Sequence, residues 1–290
     1  MLVGPKNTCC KFEKFELFKD QKMKTLRPAP FILVSSNHGT LIVNRNDYRL
    51  VDQGGYGVGF QLLNTASFDQ QEVDFALVLL HYRRKYHGDD VVAVDCGANI
   101  GVHAVEWAKF MHGWGSIFAF EAQEKIFYAL AGNLILNNCL NSTAKHCAVG
   151  AACGMLDIPE PDYNIPSSYG SFELRKKDSN EFIGQTIDYS MTKKIEMISI
   201  DSLNLKRIDF IKIDVEGMEE EVLIGAKNVL ERSKPILMIE KIKSDAKKLE
   251  DFLSEFDYVY FPMGINMLAV HTTDPVKNHL AIKNNVLSLS

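Results

Sequence analysis

The feature that most narrows what this chain can fold into is an alternation of apolar, strand-like runs with amphipathic helical stripes from Val91 onward. The runs are Val91 to Asp95, Ile117 to Glu121, Ala144 to Val149, Ile208 to Asp214 and Pro235 to Glu240. Between them, Val102, Val105, Ala108 and Met111 recur at helical spacing, as do Phe127, Leu130, Leu134 and Ile135, and later Val222, Leu223, Ala226 and Leu230. Strand, crossing helix, strand means right-handed connections and parallel strands buried on both faces. The fold class is therefore α/β: Rossmann-like, with a mostly parallel sheet and helices on both faces. After Glu240, a helix (Asp245 to Phe256) leads to Tyr258 to Phe261, a turn at Gly264, and Met267 to Val270. That pattern predicts an antiparallel C-terminal hairpin.

Around this block the chain divides by composition. Residues 1–30 carry seven Lys/Arg against three acids, a basic arm in a chain of net charge -5. Residues 31–88 read as a β lead-in, with short β-rich runs at Phe31 to Val34 and Thr40 to Val43, followed by a helix from Phe68 to Tyr86. The lead-in has three candidate roles: covering the cleft, extending the sheet, or pairing with a second subunit in a homodimer. The main domain spans 89–275, interrupted over 157–196 by a polar stretch with three prolines and no clear period, expected to be a functional loop or an added hairpin. Residues 276–290 form a tail.

The net acidity excludes a general nucleic-acid binder, which needs excess cations. Stretches such as Phe75 to Leu80 fall far short of the roughly 20 apolar residues of a membrane span. With no secretory pattern at Met1 to Lys6, the expected compartment is the cytoplasm. Six cysteines without a C-x-x-C pair read as reduced thiols.

At the C-terminal end of the first parallel strand stands Asp95-Cys96-Gly97-Ala98-Asn99-Ile100-Gly101, running into a helix, the place where open parallel sheets bind ligands. Gly97 permits a tight turn, and Gly101 is expected to let the helix pack on the sheet. A phosphate-binding P-loop needs Gly-Lys-Ser/Thr, whereas Val102 and His103 follow Gly101. A dinucleotide site is disfavoured as well, since Asn99 replaces the middle glycine and Asp95 would repel a pyrophosphate. An acid here suits an ammonium group, as in the aminoacyl part of S-adenosylmethionine. Glu121, ending the next strand, suits the two ribose hydroxyls of the same ligand.

With these motifs and Ile211-Lys212-Ile213-Asp214-Val215-Glu216-Gly217-Met218-Glu219, the chain from about His38 to His271 resembles the FkbM-type class I methyltransferases. The resemblance implies a seven-stranded methyltransferase sheet, S-adenosyl-L-methionine as the cofactor, and a methyl acceptor that is most often an oxygen of a small molecule, sugar or secondary metabolite. An amide nitrogen in a peptide is the alternative. The chain departs from the family at Ile239-Glu240-Lys241-Ile242 and in the long 157–196 segment, both on the acceptor side.

The expected cofactor-binding residues are Asp95, Cys96, Gly97, Ala98, Asn99, Gly101 and Glu121, with Ala122, Ala148 and Val149 as adenine walls and Asp214 lining the donor pocket. The catalytic candidates are Asp214, Glu216 and Glu240. Three acids among residues 214–219 raise one another's pKa unless a cation intervenes: Lys212, a bound amine, or a metal on Asp214, Glu216 and Glu240. No metal is assigned. Glu219 reads as stabilising a helix N-terminus, His103, His38 and His271 as packed histidines, and Ser167 to Ser171 as either an acceptor surface or an ordinary turn.

Overall fold

The computed structural model describes residues 28–52, 54–283 and 286–289, so the basic arm expected over residues 1–30 lies almost wholly outside the described residues. The lead-in opens with an antiparallel hairpin of β1 (Phe31–Ser36) and β2 (Gly39–Asn44). A shorter pair follows, β3 (Arg49–Val51) and β4 (Gly54–Tyr56). Next comes a helix that the sequence pattern does not announce, α1 (Val58–Thr65), and then α2 (Gln70–His87).

The alternating block is β5 (Val91–Cys96), α3 (Val102–Phe110), β6 (Gly115–Glu121), α4 (Glu124–Leu136) and β7 (Ser142–His146). The run read as one strand from Ala144 to Val149 breaks at Cys147. Its second half is β8 (Ala148–Val149), which leaves the main sheet to pair with the insertion. That insertion is a long hairpin arm, β9 (Gly154–Pro159) against β10 (Thr192–Ile198), in a three-stranded sheet with β8.

Next come β11 (Phe210–Ile213), α5 (Glu219–Ile224) and α6 (Lys227–Ser233). The stripe predicted as one helix is thus two. Asp201, from the short helical turn that precedes β11, caps α6 by accepting from the backbone N–H groups of Asn228 (3.1 Å) and Val229 (3.0 Å). The block closes with β12 (Ile236–Glu240), α7 (Ala246–Ser254), β13 (Tyr258–Met263) and β14 (Asn266–His271). The tail adds a small hairpin, β15 (Leu280–Lys283) and β16 (Val286–Leu289).

The seven-stranded sheet runs β13-β14-β12-β11-β5-β6-β7, parallel except for β14, which is antiparallel to both neighbours. This is the expected class I methyltransferase sheet with its antiparallel C-terminal hairpin. Strand alternation sorts its residues between two cores. Ala93, Ala119, Phe210 and Met238 pack beneath α2, α3 and α4, while Cys96, Phe120, Ile211 and Ile239 pack beneath α5, α6 and α7. The lead-in strands pair only among themselves, so they do not extend the sheet.

Under α2 lies a buried ion cluster. Arg83 reaches Asp209 (3.0 Å) and Asp274, while Asp209 also accepts from the Val92 N–H (3.0 Å). It ties α2, the edge of β11 and the turn after β14 together. Removing one partner of such a cluster leaves uncompensated buried charge. Arg83→Met is expected to destabilise the fold by about 3–5 kcal/mol, read as a lower urea midpoint.

Candidate active site

Three strand ends supply the floor. In register, Lys212 of β11 lies opposite Asp95 of β5 and Met238 of β12. Alternation therefore turns Asp95, Lys212 and Glu240 toward the α2/α3 face at the carboxyl end of the sheet. From above, the first turns of α2 and α3 add Glu72 and His103, whose Oε1 and Nε2 lie 3.3 Å apart. Asn266, at the start of β14, donates to Glu72 Oε2 at 2.6 Å. Burial would raise the Glu72 pKa, but His103, Lys212 and Asn266 together hold it below the usual carboxylate range.

The loop after β5 is shaped by one backbone contact. Gly97 adopts φ +80°, and a Cβ there would sit 1.8 Å from the Asp214 carbonyl oxygen. Only glycine lets the two loops meet so closely. Asn99 takes the next left-handed position, φ +50°, which asparagine tolerates better than most residues, and its Oδ1 accepts from the Ile100 N–H (2.7 Å). Gly101 serves a neighbour other than the one expected: the space it leaves is filled by Leu130 of α4, not by the sheet.

Asp95 is 1% exposed, and neither carboxylate oxygen has a hydrogen-bond partner among the described residues. Burial raises its pKa against the pull of Lys212 and His103. A buried carboxylate without hydrogen bonds is costly, and Lys212 in the neighbouring strand offsets only part of that cost. Glu121 is also buried, but it is gripped: Oε2 accepts from the Asn99 N–H (2.9 Å) and Oε1 from the Gln123 N–H (2.8 Å). Burial still pushes it up to about 7. Each of its oxygens retains a lone pair for a further donor.

The acidic turn after β11 is divided between two lysines. Asp214 is held by Lys212 Nζ at 2.6 Å, and Glu216 by Lys243 Nζ at 2.6 Å. Lys212 is 5% exposed. Burial would lower its pKa, but Asp214, Glu72 and Asp95 push it up instead. Glu216 has a left-handed backbone, φ +56°. The strain is absorbed by Glu219, whose Oε1 accepts from the N–H groups of Val215 (3.2 Å) and Gly217 (3.0 Å). Glu240, in contrast, makes no side-chain hydrogen bond or ion pair among the described residues. Burial, then Asp214, pushes its carboxyl up to about 8. Burial and Asp214 also hold Glu216 well above its ordinary value, against Lys243. One oxygen from each of Asp214, Glu216 and Glu240 falls within 4.8 Å of the others, a spacing able to hold a cation.

These groups share one cavity of about 390 Å³, within the usual range for small-molecule sites. Asp95, Gly97, Ala98 and Asn99 line it from the first loop; Glu121, Ala122, Ala148 and Val149 from the second and third strand ends; and Asp214, Glu216 and Glu240 from the acidic side. Two expected binding residues do not line it. The Cys96 side chain points into the α5–α7 core, because successive strand residues face opposite ways, and Gly101 lies behind the loop against Leu130. Ser168, Gly170 and Ser171 line the cavity, whereas Tyr169 beside them is buried beneath it. His38 and His271 lie outside; His38 Nε2 accepts from the Phe68 N–H (2.9 Å).

Sequence reasoning offers a cleft cover among the roles of the lead-in but does not name its residues. Tyr56, Gln61 and Asp69 of the lead-in and Phe172, Leu174 and Glu181 of the insertion also line the cavity. Of the three roles open to the lead-in, covering the cleft is the one these contacts support. Because the Gly97–Asp214 approach carries this geometry, Gly97→Ala should destabilise much more than Gly113→Ala. Gly113 shares the left-handed φ, +81°, but nothing lies within 4 Å of its would-be Cβ. The expected costs are about 1–2 kcal/mol for Gly113→Ala and at least about twice that for Gly97→Ala, compared by denaturant unfolding.

Comparison with known proteins follows the same lines. The chain is 26% identical over 147 residues to "Methyltransferase 1" of Beauveria bassiana (strain ARSEF 2860), covering 47% of this chain and 59% of the relative. It is 28% identical over 153 residues to "Methyltransferase sdnD" of Sordaria araneosa, covering 46% of this chain and 59% of that protein. The matched region thus spans about three-fifths of the length of these curated relatives. The crystal structure of methyltransferase FkbM from Methylobacillus flagellatus KT superposes with a TM-score of 0.46 at 19% identity, over 66% of this chain and 48% of that one. The sequence profile of the methyltransferase FkbM domain matches residues 95–260, more than half of the chain, and the chain belongs to that family.

Proposed function

We propose that this protein transfers a methyl group from S-adenosyl-L-methionine to a hydroxyl oxygen of a polar acceptor, a sugar, lipid-linked compound or secondary metabolite, with Glu240 as the general base. Family membership and the names of the relatives support the reaction class. The fit to the donor rests on the chemistry of the residues present: Asp95 for the ammonium, Glu121 for the ribose hydroxyls, and the space over Gly97 for close passage of the chain between them. Ala122, Ala148 and Val149 offer small apolar walls to an adenine. When bound, the donor supplies a methyl group on a positively charged sulfur, open to in-line displacement.

The observation that carries the reading is the unequal treatment of three neighbouring carboxylates. Lys212 occupies Asp214 and Lys243 occupies Glu216, while Glu240 keeps both oxygens free. A free carboxylate with a pKa near the working pH is suited to accept a hydroxyl proton. Asp214 and Glu216, engaged by their lysines, orient the acceptor and leave the role of base to Glu240. The cover of Tyr56, Phe172 and Glu181 excludes water and holds the acceptor over Glu240. Holding acceptor and donor in line contributes about 7–11 kcal/mol, and the base about 10²- to 10⁴-fold in rate.

A catalytically silent scaffold is the competing reading. It has no use for an unpartnered, fully buried Asp95, which costs stability and returns nothing without a ligand. The same carboxylates would serve an amine acceptor, and an acceptor panel of both kinds separates the two.

Incubation with labelled donor and a panel of hydroxylated and aminated acceptors tests the reaction, and a donor titration that shows no binding at millimolar concentration sinks it. Glu240→Gln is expected to lower kcat about 10²- to 10⁴-fold with the fold intact. In the wild type, kcat/KM should rise with pH through a midpoint near 8 and level off above it, because Glu240 must be ionised to accept the proton. Unchanged turnover in the variant would remove Glu240 as the base.

A further inference from the structure

We propose that the open mouth of the cavity docks on an anionic lipid surface, so that the methyl acceptor is a hydroxylated compound carried on a membrane lipid. The inference rests on the methyl-transfer reading above and selects the lipid-linked class among its acceptors.

The rim of the mouth carries it. Ile242, in the loop after β12, and Ile265, in the turn between β13 and β14, both line the cavity, yet each is more than half exposed. Their loops lie side by side, since the Lys241 N–H donates to the Ile265 carbonyl (3.1 Å). Lys243, next to Ile242, reaches Glu181 of the insertion (3.0 Å), and Glu181 is followed by Phe182, again more than half exposed. The Arg49 guanidinium lies over the Phe182 ring at 5.4 Å and pairs with Glu181, which brings in β3. Its next residues, Leu50 and Val51, are exposed as well. Four chain segments thus bring exposed apolar side chains to one opening. Single exposed apolar residues are ordinary, as Ile135 and Leu140 are around the end of α4. Here the apolar surface continues inward along Ile242, Ile265 and Tyr56 to the carboxylates, and an exposed patch of that kind marks a contact surface.

Charge decides what the surface meets. The rim itself is nearly balanced, with Arg49, Lys177, Lys241 and Lys243 beside Asp52, Asp69, Asp178 and Glu181. Asp95, Glu121 and Glu240 lie deeper, where burial favours their neutral forms. The excess of cations is in the segment that enters the fold here. Residues 1–30 hold seven Lys/Arg against three acids, with Phe12, Phe15 and Phe18 at three-residue spacing. The segment ends where the Pro30 carbonyl accepts from the Arg45 N–H (2.8 Å). Asp47, two residues further on, packs against Gly57 and Gly59, and Gly57 lines the cavity. Basic residues interleaved with phenylalanine suit an anionic bilayer surface. Two copies meeting mouth to mouth would instead set one acidic cavity against another. Docked on lipid, the mouth opens onto the headgroup layer, and a hydroxyl carried there reaches Glu240 without its lipid leaving the bilayer.

Co-sedimentation of the full chain with phosphatidylcholine vesicles, with and without about a third phosphatidylserine, tests this. The wild type is expected to bind the anionic vesicles, and Leu50→Ser/Phe182→Ser/Ile242→Ser to bind them about tenfold more weakly. The substituted rim residues are exposed, so the variant should keep its thermal midpoint. Lys14→Glu/Lys19→Glu/Lys22→Glu should abolish the preference for phosphatidylserine, as should high salt with the wild type. A wild type that ignores anionic vesicles overturns the inference. So does binding that the rim variant leaves unchanged, which is the basic segment acting alone, and so does a dimer in analytical ultracentrifugation that the rim substitutions dissolve. A donor titration run in parallel separates the two readings. Donor binding without vesicle binding leaves methyl transfer standing, and vesicle binding without donor binding leaves only the docking surface.

Discussion

The buried ammonium of Lys212 is what allows so many carboxylates to share one end of a sheet. It is 5% exposed, lies 2.6 Å from Asp214, and stands in register opposite Asp95 on the neighbouring strand. Each of these ions is costly to desolvate, by several kcal/mol after relaxation. At an effective dielectric constant of about 20, an opposite charge at 4 Å returns about 4 kcal/mol. One cation set among Asp214, Asp95 and Glu72 therefore offsets part of the cost for all three. Because parallel register brings Lys212 and Asp95 side by side, the counter-charge is placed by the sheet itself and needs no mobile side chain.

The cover over this floor is tied down by polar contacts that converge on the acidic turn. Asp47 of the lead-in, buried and pushed up to about 6, accepts from the N–H groups of Tyr169 (3.0 Å) and Gly59 (3.2 Å), binding the insertion to α1. Asn44 donates to the Tyr163 carbonyl (3.0 Å). On the far side, Glu181 meets Arg49, Tyr56 and Lys243, and Lys243 also donates to the Ser171 carbonyl. A single lysine thus touches the insertion and Glu216 at once, so the insertion's wall of the cavity and the carboxylates beneath it are held in one arrangement.

What was legible in the sequence follows from how local each signal is. The main sheet reads clearly because its strands are continuous apolar runs, and Asp95, Glu121, Asp214 and Glu240 read as site residues because each ends or closely follows one. Cys96 misleads for a local reason: it belongs to the same motif, but alternation turns it to the other face. The α1 helix is hidden because Gly54, Gly55, Gly57 and Gly59 read as loop; it is held instead by burial of Val58 and Leu62 and by Asp47. The single strand expected through Cys147 splits because Ala148 and Val149 find their partner in β10, some fifty residues on. Glu72, Lys243 and Glu181 carry no pattern at all. Each is an ordinary charged residue on a helix turn or loop, and only tertiary packing sets it beside the cavity.

The same packing creates a tension between stability and activity. A protein selected only to fold would place a lysine or a backbone donor against every buried carboxylate, as this one does for Asp214, Glu216 and Glu219. Asp95 and Glu240 are exceptions in one and the same cavity, and local rules tend to be broken at functional sites. In the proposed reaction the exceptions are complementary: Asp95 waits for a charge that stays on the donor throughout, Glu240 for one that arrives as a proton. The two lysines then set which carboxylates remain open: Asp214 and Glu216 are engaged, Asp95 and Glu240 are not.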